Sequence, residues 1–253
     1  MEEKYNAICI RSVLWRESDK LLTLFTLENG VVDCVVRGAM SPKSKWRFAT
    51  EPFSFCEYVL TEKLGKKTLT EATQIDGFYD LRYDIEKLYC ASAVLEFIRQ
   101  SVFENASVYG LFLLTVNALK AIEKGAYPIH SLVRFFIGAV GELGYGATFS
   151  RCGVCKKSVD GRAFFDFESA APVCENCADG SAIEMRAETL RLLSTLSDMD
   201  FDLLKTGDLS TYSEAFDQKP IVFHALRFMA YYLDVKLGCR LKSLSEVLET
   251  FDK

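Results

Sequence analysis

The sequence lacks the features that mark membrane and secreted proteins. Its 253 residues contain no uninterrupted apolar run of the ~18 residues that a helix needs to cross a bilayer. The first residues, MEEKYNAICIRSV, carry acids where a signal peptide needs basic residues, and no long apolar run follows. The sequence therefore predicts a cytoplasmic protein.

Catalytic motifs are also lacking. The chain has only 2 histidines, and it contains no Gly-rich phosphate loop, H-E-x-x-H helix or G-x-S-x-G turn. His224 lies in the apolar stretch VFHALRF, which is typical of a hydrogen-bonded histidine at the edge of a core. Glu17 and Asp19 have basic neighbours, as in a solvated turn. Nothing in the sequence predicts an enzyme.

An excess of positive charge is missing as well. The net charge is −5 and the isoelectric point is near 5.3, which argues against a surface covered with nucleic-acid contacts. The apolar fraction of 49% and the charged fraction of 26% are those of an ordinary globular protein with a substantial core.

Cysteine, in contrast, is present 9 times. A small secreted chain would use that number for disulfides, but this chain is neither small nor expected to be exported. Five of the cysteines stand singly, mostly among apolar residues, and are predicted to be small buried side chains. They are Cys9, Cys34, Cys56, Cys90 and Cys239.

The other four cysteines form two Cys-x-x-Cys pairs in RCGVCKKSVDGRAFFDFESAAPVCENCA, with Cys152 and Cys155 before Cys174 and Cys177. The spacing C-x2-C-x18-C-x2-C lies in the range of four-thiolate zinc sites. A redox centre would need only one pair. The segment therefore predicts one closed, structural Zn²⁺, with a short hairpin between the two pairs.

The chain divides by pattern near residue 80. Before it, five short apolar stretches separated by turn signals predict a small barrel or sandwich, for which oligonucleotide-binding (OB) and SH3-like barrels both stay open. After it, apolar residues recur at a period near 3.6, as in helices, and Ser243 with Glu246 predicts a capping box before the last one. The prediction is an α+β multidomain protein with an all-β domain at 1–79 and an all-α domain at 80–253, interrupted by a zinc module at 150–180.

Basic residues are concentrated in the all-β part despite the acidic whole. The segment CVVRGAMSPKSKWRFAT has four basic residues and no acid, and a second basic cluster lies in the turn before the last strand. Such loops suit a single-strand groove, with Trp46 either stacking on bases or tucked into the barrel end. The predicted DNA contacts are Arg37, Lys43, Lys45, Trp46, Arg47, Lys63, Lys66 and Lys67.

Taken together, several short segments resemble the RecO family of bacterial recombination mediators in DNA repair, in the right order and over almost the whole chain. They are RESDKLLTLFTLENG at 16–30, VVRGAMSPKSKWRFATEPFSFCEY at 35–58, LTEA at 69–72, LGYG at 143–146 with CGVC and CENC, and LGCRLKS at 237–243. The resemblance implies an N-terminal five-stranded OB barrel and then a helical domain that carries the zinc module. It also implies that the four paired cysteines are the zinc ligands.

The resemblance further implies a function that composition cannot give. Members bind single- and double-stranded DNA, anneal complementary strands, pair with RecR, engage the C-terminal tail of single-strand-binding protein, and help RecA replace that protein on DNA. A nucleoid-associated cytoplasmic location is then expected. The dock for the acidic tail is predicted to be an apolar groove on the helical domain rimmed by Lys or Arg, for which Arg134, Arg227 and Lys236 are the candidates. Two alternatives stay open: a zinc-ribbon adaptor that binds only protein, and a zinc- or thiol-dependent enzyme.

Overall fold

The computed structural model describes residues 2–104, 106–159, 161–207, 216 and 218–252. The chain forms two compact units. The first, which we call the barrel unit, comprises Met1–Tyr83 and Val94–Leu113. The second, which we call the helical unit, comprises Asp84–Ala93 and Leu114–Lys253.

The first unit contains a closed five-stranded barrel with the strand order β1-β2-β3-β5-β4. Its strands are β1 (Glu2–Leu14), β2 (Lys20–Thr26), β3 (Gly30–Val36), β4 (Phe55–Lys63) and β5 (Lys66–Asp76). The long β1 pairs with both β2 and β4, with an irregularity in register between Cys9 and Arg11, and β3 closes the barrel by a parallel contact with β5. This architecture confirms the predicted N-terminal OB-type barrel.

Alternation of side chains explains why these segments form a barrel. In β3, Val32, Cys34 and Val36 are buried whereas Asp33 is exposed, so one face of the strand fills the interior. Tyr58 of β4 is fully buried, and its hydroxyl donates to the Ala49 carbonyl at 2.8 Å, which satisfies the polar end of an interior ring.

A segment distant in sequence completes this unit. The Phe112 ring lies 5.3 Å from that of Phe25 and 5.8 Å from that of Phe55. Gly30 has φ of +66°, and a Cβ there would lie 2.3 Å from the Phe103 carbonyl oxygen. The turn before β3 therefore needs glycine both for its backbone conformation and for this close approach.

Seven helices occupy most of the rest of the described chain. They are α1 (Ile85–Ser101), α2 (Tyr109–Lys124), α3 (Pro128–Glu142), α4 (Ala187–Asp198), α5 (Phe201–Thr206), α6 (Lys219–Leu237) and α7 (Lys242–Phe251). α3 is buried along most of its length and packs against α4 and α6, so it is the centre of the helical core. No helix in the described ranges has the length and apolarity needed to cross a membrane.

The predicted zinc module interrupts this helical region, as expected. β6 (Ala163–Asp166) and β7 (Ala171–Cys174) form the predicted hairpin, and the short β8 (Ile183–Met185) adds a third strand on the other side of β6.

The predicted capping box is wrong. Helix α7 begins at Lys242 with Leu241 at the N-cap position and no side-chain cap, so Ser243 and Glu246 both lie inside the helix. Leu241 and Leu244 are both buried, and the apolar spacing that places them in the core starts the helix earlier than a cap at Ser243 would.

Candidate metal centre and nucleic-acid interface

The four paired cysteines lie together in the folded chain. Their sulfur atoms are all within 4.8 Å of one another, and Cys155 Sγ lies 3.8 Å from Cys174 Sγ. A disulfide would need a separation of about 2 Å. A tetrahedral Zn²⁺ with Zn–S bonds of about 2.3 Å would place its sulfurs about 3.8 Å apart. The group can therefore hold a metal ion, and its spacing matches that of a four-thiolate site.

Each pair lies on a tight turn stabilised by its own backbone. In the first turn, the Lys156 amide donates to the Cys152 carbonyl at 3.0 Å, and the Cys152 amide donates to the Lys157 carbonyl at 2.9 Å. In the second, the amides of Cys177 and Ala178 both donate to the Cys174 carbonyl at 2.9 Å. These hydrogen bonds shape the backbone turns from which the four sulfurs project.

The electrostatics of the cluster favour a cation. Burial alone raises the pKa of Cys152, but backbone N–H groups of Cys155, Cys174 and Val154 outweigh it and lower that pKa to about 6. Hydrogen bonding to Cys174, followed by burial, raises the pKa of Cys177 to about 12. The cluster thus stabilises a thiolate at Cys152 and disfavours one at Cys177, so a bound cation would be needed for Cys177 to act as a thiolate ligand.

The module is tied to α6 by aromatic rings. The Phe165 ring of β6 lies 4.9 Å from that of Phe228, and the Phe167 ring lies 5.1 Å from that of Tyr231. Because both partners belong to α6, the position of the metal turns is coupled to the packing of the helical unit.

The five single cysteines are all buried, as predicted, and none forms a disulfide bond with another described residue. Burial raises the pKa of Cys34 to about 12 and that of Cys56 to about 11. Such thiols are protonated at neutral pH and unreactive.

The predicted basic loop between β3 and β4 is exposed and uncompensated. Arg37, Lys43, Lys45 and Arg47 are all exposed, and none has a carboxylate oxygen of a described residue within 4.0 Å. Their charge is therefore available to an anionic ligand.

Trp46 occupies a different environment from its basic neighbours. Its ring is half-buried against the barrel core, and the Lys45 ammonium lies 4.4 Å from the ring centroid. The Trp46 side chain thus contacts both the barrel core and a cation.

The second basic cluster is divided by the fold. Lys63 and Lys66 are exposed at the turn between β4 and β5, and the described chain places no carboxylate within 4.0 Å of them. The Lys67 ammonium, in contrast, lies 2.6 Å from a Glu3 carboxylate oxygen and 2.8 Å from the Tyr5 hydroxyl. The charge of Lys67 is therefore compensated by a carboxylate within the barrel unit.

A cleft of about 890 Å³ runs over the barrel between the turn after β1, strands β2 and β3, and the turn between β4 and β5. We call it the barrel groove. In OB barrels, this face and these two loops bind oligonucleotides. Its charged lining residues are Arg16, Arg37, Lys63, Lys66 and Lys67, with Asp19 and Asp33 as the two acids.

The groove also contains residues that the sequence did not single out as contacts. Trp15 and Leu64 line it together with Arg16. A tryptophan beside an arginine at the end of a strand, and a leucine within the basic turn KLGKK, are the signals that could have identified them.

Hydrogen bonds join two loops beside the groove. An Asp19 carboxylate oxygen accepts from the Gly38 amide at 2.9 Å, and the Ser18 carbonyl accepts from the Met40 amide at 3.0 Å. The β1–β2 turn therefore holds the start of the loop that carries Arg37.

None of the three predicted tail contacts lines the pocket at the starts of α3 and α6. Arg134 donates from Nε to the Met199 carbonyl at 2.8 Å, and burial lowers its pKa. Arg227 is paired with Asp252, and Lys236 is half-buried. Two of the three thus take part in packing or pairing within the unit.

That pocket, of about 360 Å³, lies among the starts of α3 and α6 and the end of α7. Its walls include Ile129, Phe223 and Phe251, and its charged groups include Lys219 at the first position of α6 and Glu86. Burial, followed by the charge of Asp84, raises the pKa of Glu86. We call this site the helical pocket.

Comparison with known proteins gives matches along nearly the whole chain. A family model described as Recombination protein O N terminal matches residues 1–78, and one described as Recombination protein O C terminal matches residues 82–245.

Curated relatives named DNA repair protein RecO match three quarters or more of the chain. The protein of Desulforamulus reducens is 27% identical over 237 residues, which cover 92% of this chain and 91% of the relative. That of Exiguobacterium sibiricum is 28% identical over 248 residues, which cover 96% and 95%. That of Syntrophomonas wolfei is 28% identical over 194 residues, which cover 75% and 76%.

Proposed function

Because the chain belongs to the RecO family of DNA repair proteins, we propose that it is a recombination mediator that binds single-stranded and duplex DNA and anneals complementary strands. With RecR, it would help RecA to replace single-strand-binding protein on DNA. The observation that carries the proposal is the barrel groove, whose charged lining has five basic side chains against two acidic ones on an otherwise acidic chain.

The physics of annealing supports this assignment. Two DNA strands repel each other, and cationic side chains reduce that repulsion by neutralising phosphates and releasing condensed counterions. Contacts to phosphates carry no base information, which suits a repair protein that acts on any sequence. The exposed Arg37, Lys43, Lys45 and Arg47 extend the basic surface along the loop that follows β3.

Charge reversal in this loop tests the proposal. In the variant Lys43→Glu/Lys45→Glu/Arg47→Glu, we expect weaker binding of single-stranded DNA and a salt dependence shallower by about 2 in log–log slope, since three phosphate contacts are lost. Fluorescence anisotropy at several salt concentrations measures both. The matched control reverses Lys4, Arg191 and Lys242, which are exposed elsewhere and change the net charge equally. Unchanged binding in the loop variant would remove this loop from the DNA interface.

The adaptor alternative predicts a different result with the native protein. A protein-only adaptor would give no gel shift of single-stranded DNA at either low or moderate salt. A mediator would give a shift that weakens with salt and annealing of complementary strands that changes on addition of RecR.

We further propose that Cys152, Cys155, Cys174 and Cys177 hold one structural Zn²⁺. Four thiolates complete a tetrahedral site and leave no position for a reacting water, so the ion would stabilise the module rather than catalyse. Metal analysis should give one zinc per chain, and thiol counting on the folded protein should find these four unreactive. A reactive thiol among them would favour the enzyme alternative instead.

For the acidic tail of single-strand-binding protein, we propose the helical pocket as the dock. Its apolar walls suit the apolar end of that tail, and Lys219 at the start of α6 suits a carboxylate. Glu86 compensates part of this charge, so modest affinity is expected.

Tail-peptide binding separates this dock from the one predicted by sequence. Lys219→Glu should abolish binding of a peptide with the tail sequence, whereas Arg227→Glu and Lys236→Glu should leave it unchanged. The opposite pattern would place the dock beside Arg227 and Lys236.

Two further predictions remain. Microscopy of a tagged chain would test the nucleoid-associated cytoplasmic location, and limited proteolysis would test the domain boundary between residues 79 and 80.

A further inference from the structure

We propose that Trp15 and Leu64 hold unstacked bases of single-stranded DNA in the barrel groove. The inference rests on the proposed DNA-binding function and adds to it a preference for unpaired bases at this site. It assigns base contacts to two apolar residues that face the groove from two separate turns.

Trp15 is the first residue after β1, and half of its surface is exposed (52%). Its backbone amide donates to the Asp19 carbonyl at 2.9 Å, so the turn that carries it is closed by a hydrogen bond. The ring is therefore presented from a fixed backbone, which lowers the entropy lost when a ligand binds.

Leu64 is at the tip of the β4–β5 turn and is exposed to 102% of its reference area. Its φ of +52° is unusual for a branched residue, and Asn or Asp would be better suited there. An apolar side chain in such a conformation and in full contact with water gains nothing for the isolated fold. A ligand that covers it would give the residue a physical role.

Both side chains line the same groove, and charge surrounds them. Lys63 precedes Leu64 and Lys66 follows it after one glycine, while Arg16 follows Trp15 directly. A ligand that satisfies both kinds of group must carry anionic charge at regular intervals and flat apolar surfaces between the charges. Single-stranded DNA has this chemistry, because every base presents a π-face between phosphates.

The other tryptophan does not meet the same requirements. Trp46 is half-buried against the barrel core, with the Lys45 ammonium 4.4 Å from its ring centroid. Stacking of a base on it would have to displace that cation. The structure therefore assigns the stacking role to Trp15 rather than to Trp46.

Pairing in a duplex would prevent this contact. Bases in a duplex are stacked on one another and paired, so they reach side chains such as Trp15 and Leu64 only after unstacking, which costs free energy. Duplex DNA would then bind through phosphates alone. The groove thus distinguishes single strands from duplexes by base access, while the basic residues attract both.

The test uses the full chain and two probes, an oligo-dT strand and a strand of equal length made of abasic sites. Trp15→Ala and Leu64→Ser should each bind oligo-dT roughly tenfold more weakly, with an unchanged salt slope. Their binding of the abasic strand should equal that of the native chain. The control variants are Leu14→Ala and Ile75→Ser, which are exposed on β1 and β5 but do not line the groove. These should bind like the native chain.

A fluorescence measurement gives a readout that does not depend on a destabilising variant. In Trp46→Phe, Trp15 is the one tryptophan left of the 2 in the chain. Oligo-dT should quench its emission, and the abasic strand should not.

The outcomes separate the inference from the proposed function. Salt-dependent binding of oligo-dT that neither variant weakens, without quenching of Trp15, would overturn the base contacts and leave DNA binding intact. Equal affinity of the native chain for the oligo-dT and abasic strands would overturn them too. Absence of binding to every strand at low salt would overturn the proposed function and the inference together.

Discussion

Lys67 joins strands of the barrel that are not neighbours in sequence. Its ammonium lies 2.6 Å from the Glu3 carboxylate and 2.8 Å from the Tyr5 hydroxyl, so it links β5 to β1. The hydrogen bond from Lys67, followed by that from Tyr5, lowers the pKa of Glu3. Burial alone would lower the pKa of Lys67, but its bonds to Glu3 and Tyr5 outweigh this and raise it.

Glu3→Gln should therefore reduce stability in a pH-dependent way. Because the pKa of Glu3 in the folded chain is below its ordinary value of 4.5, the carboxylate stabilises the fold above that value and stops doing so as pH falls through the folded-state pKa. We expect a loss of at most about 1 kcal/mol at neutral pH. Thermal unfolding followed by circular dichroism should show the gap to the native chain closing as pH falls below the ordinary pKa of 4.5 and through the folded-state pKa.

The more exposed pair Lys4 and Glu57, at 3.4 Å, provides the control. Glu57→Gln should change stability very little at any pH, because solvent screens this pair. A loss in Glu3→Gln that stays constant with pH would show that packing, and not charge, is responsible.

Sequence patterns predicted local elements well and residue partners less well. The strand alternation and the Cys-x-x-Cys spacing are local signals, and both are confirmed as a barrel and a cysteine cluster. Barrel closure brings Trp15 and Leu64 to one groove and places the Lys67 ammonium beside the Glu3 carboxylate. These partners are far apart in sequence, so no local pattern predicts their contact. The strand β8 has three residues, of which two are exposed, so it carries no periodic signal.

The cysteine module at 150–180 joins the proposed metal site to the helical core. Its sheet places Phe165 and Phe167 against α6, while its turns supply the four thiols. Loss of the metal should free the turns first and then the rings that pack on the helix.

Removal of the metal should therefore destabilise more than the module. We expect Cys174→Ser, or the native chain treated with a chelator, to lose about 2 kcal/mol, a fall in Tm of roughly 4–8 °C. Near-ultraviolet circular dichroism should weaken as the aromatic rings lose their fixed packing. Cys239→Ser is the control, because this thiol lies outside the cluster and should leave the chelator response intact. A chelator without effect on Tm would contradict a structural metal.

At the scale of the whole molecule, charge is distributed unevenly. The chain has a net charge of −5, yet the barrel groove has more basic than acidic side chains. In the proposed function, phosphate contacts would be confined to this surface, and repulsion of DNA by the rest of the molecule would increase as salt is diluted.

Affinity for single-stranded DNA should consequently fall steeply with salt. Seven cations without a close carboxylate in the described structure give an expected log–log slope of about −5, namely Arg16, Arg37, Lys63 and Lys66 in the groove and Lys43, Lys45 and Arg47 in the loop after β3. Titrations between about 50 and about 200 mM salt measure it. A slope near zero would mean that phosphates contribute little and would contradict the electrostatic part of the proposal.

The barrel unit also depends on a segment beyond the first eighty residues. Phe112 packs on Phe25 and Phe55, and Phe25 is fully buried in the complete chain. A fragment of residues 1–79 should thus expose these rings and bind a hydrophobic dye that the full chain does not bind. In the full chain, Phe112→Ala should cost about 3 kcal/mol or more, and Phe112→Leu less. A fragment as stable as the full barrel would contradict this dependence.

The hydrogen bonds that the Met40 and Gly38 amides donate to Ser18 and Asp19 have an evolutionary consequence. An insertion or deletion in either loop would shift one set of partners out of register with the other. We therefore expect changes of length in the two loops to be inherited as compensating pairs, and the side chains along the groove to vary far more freely than the number of residues that frame it.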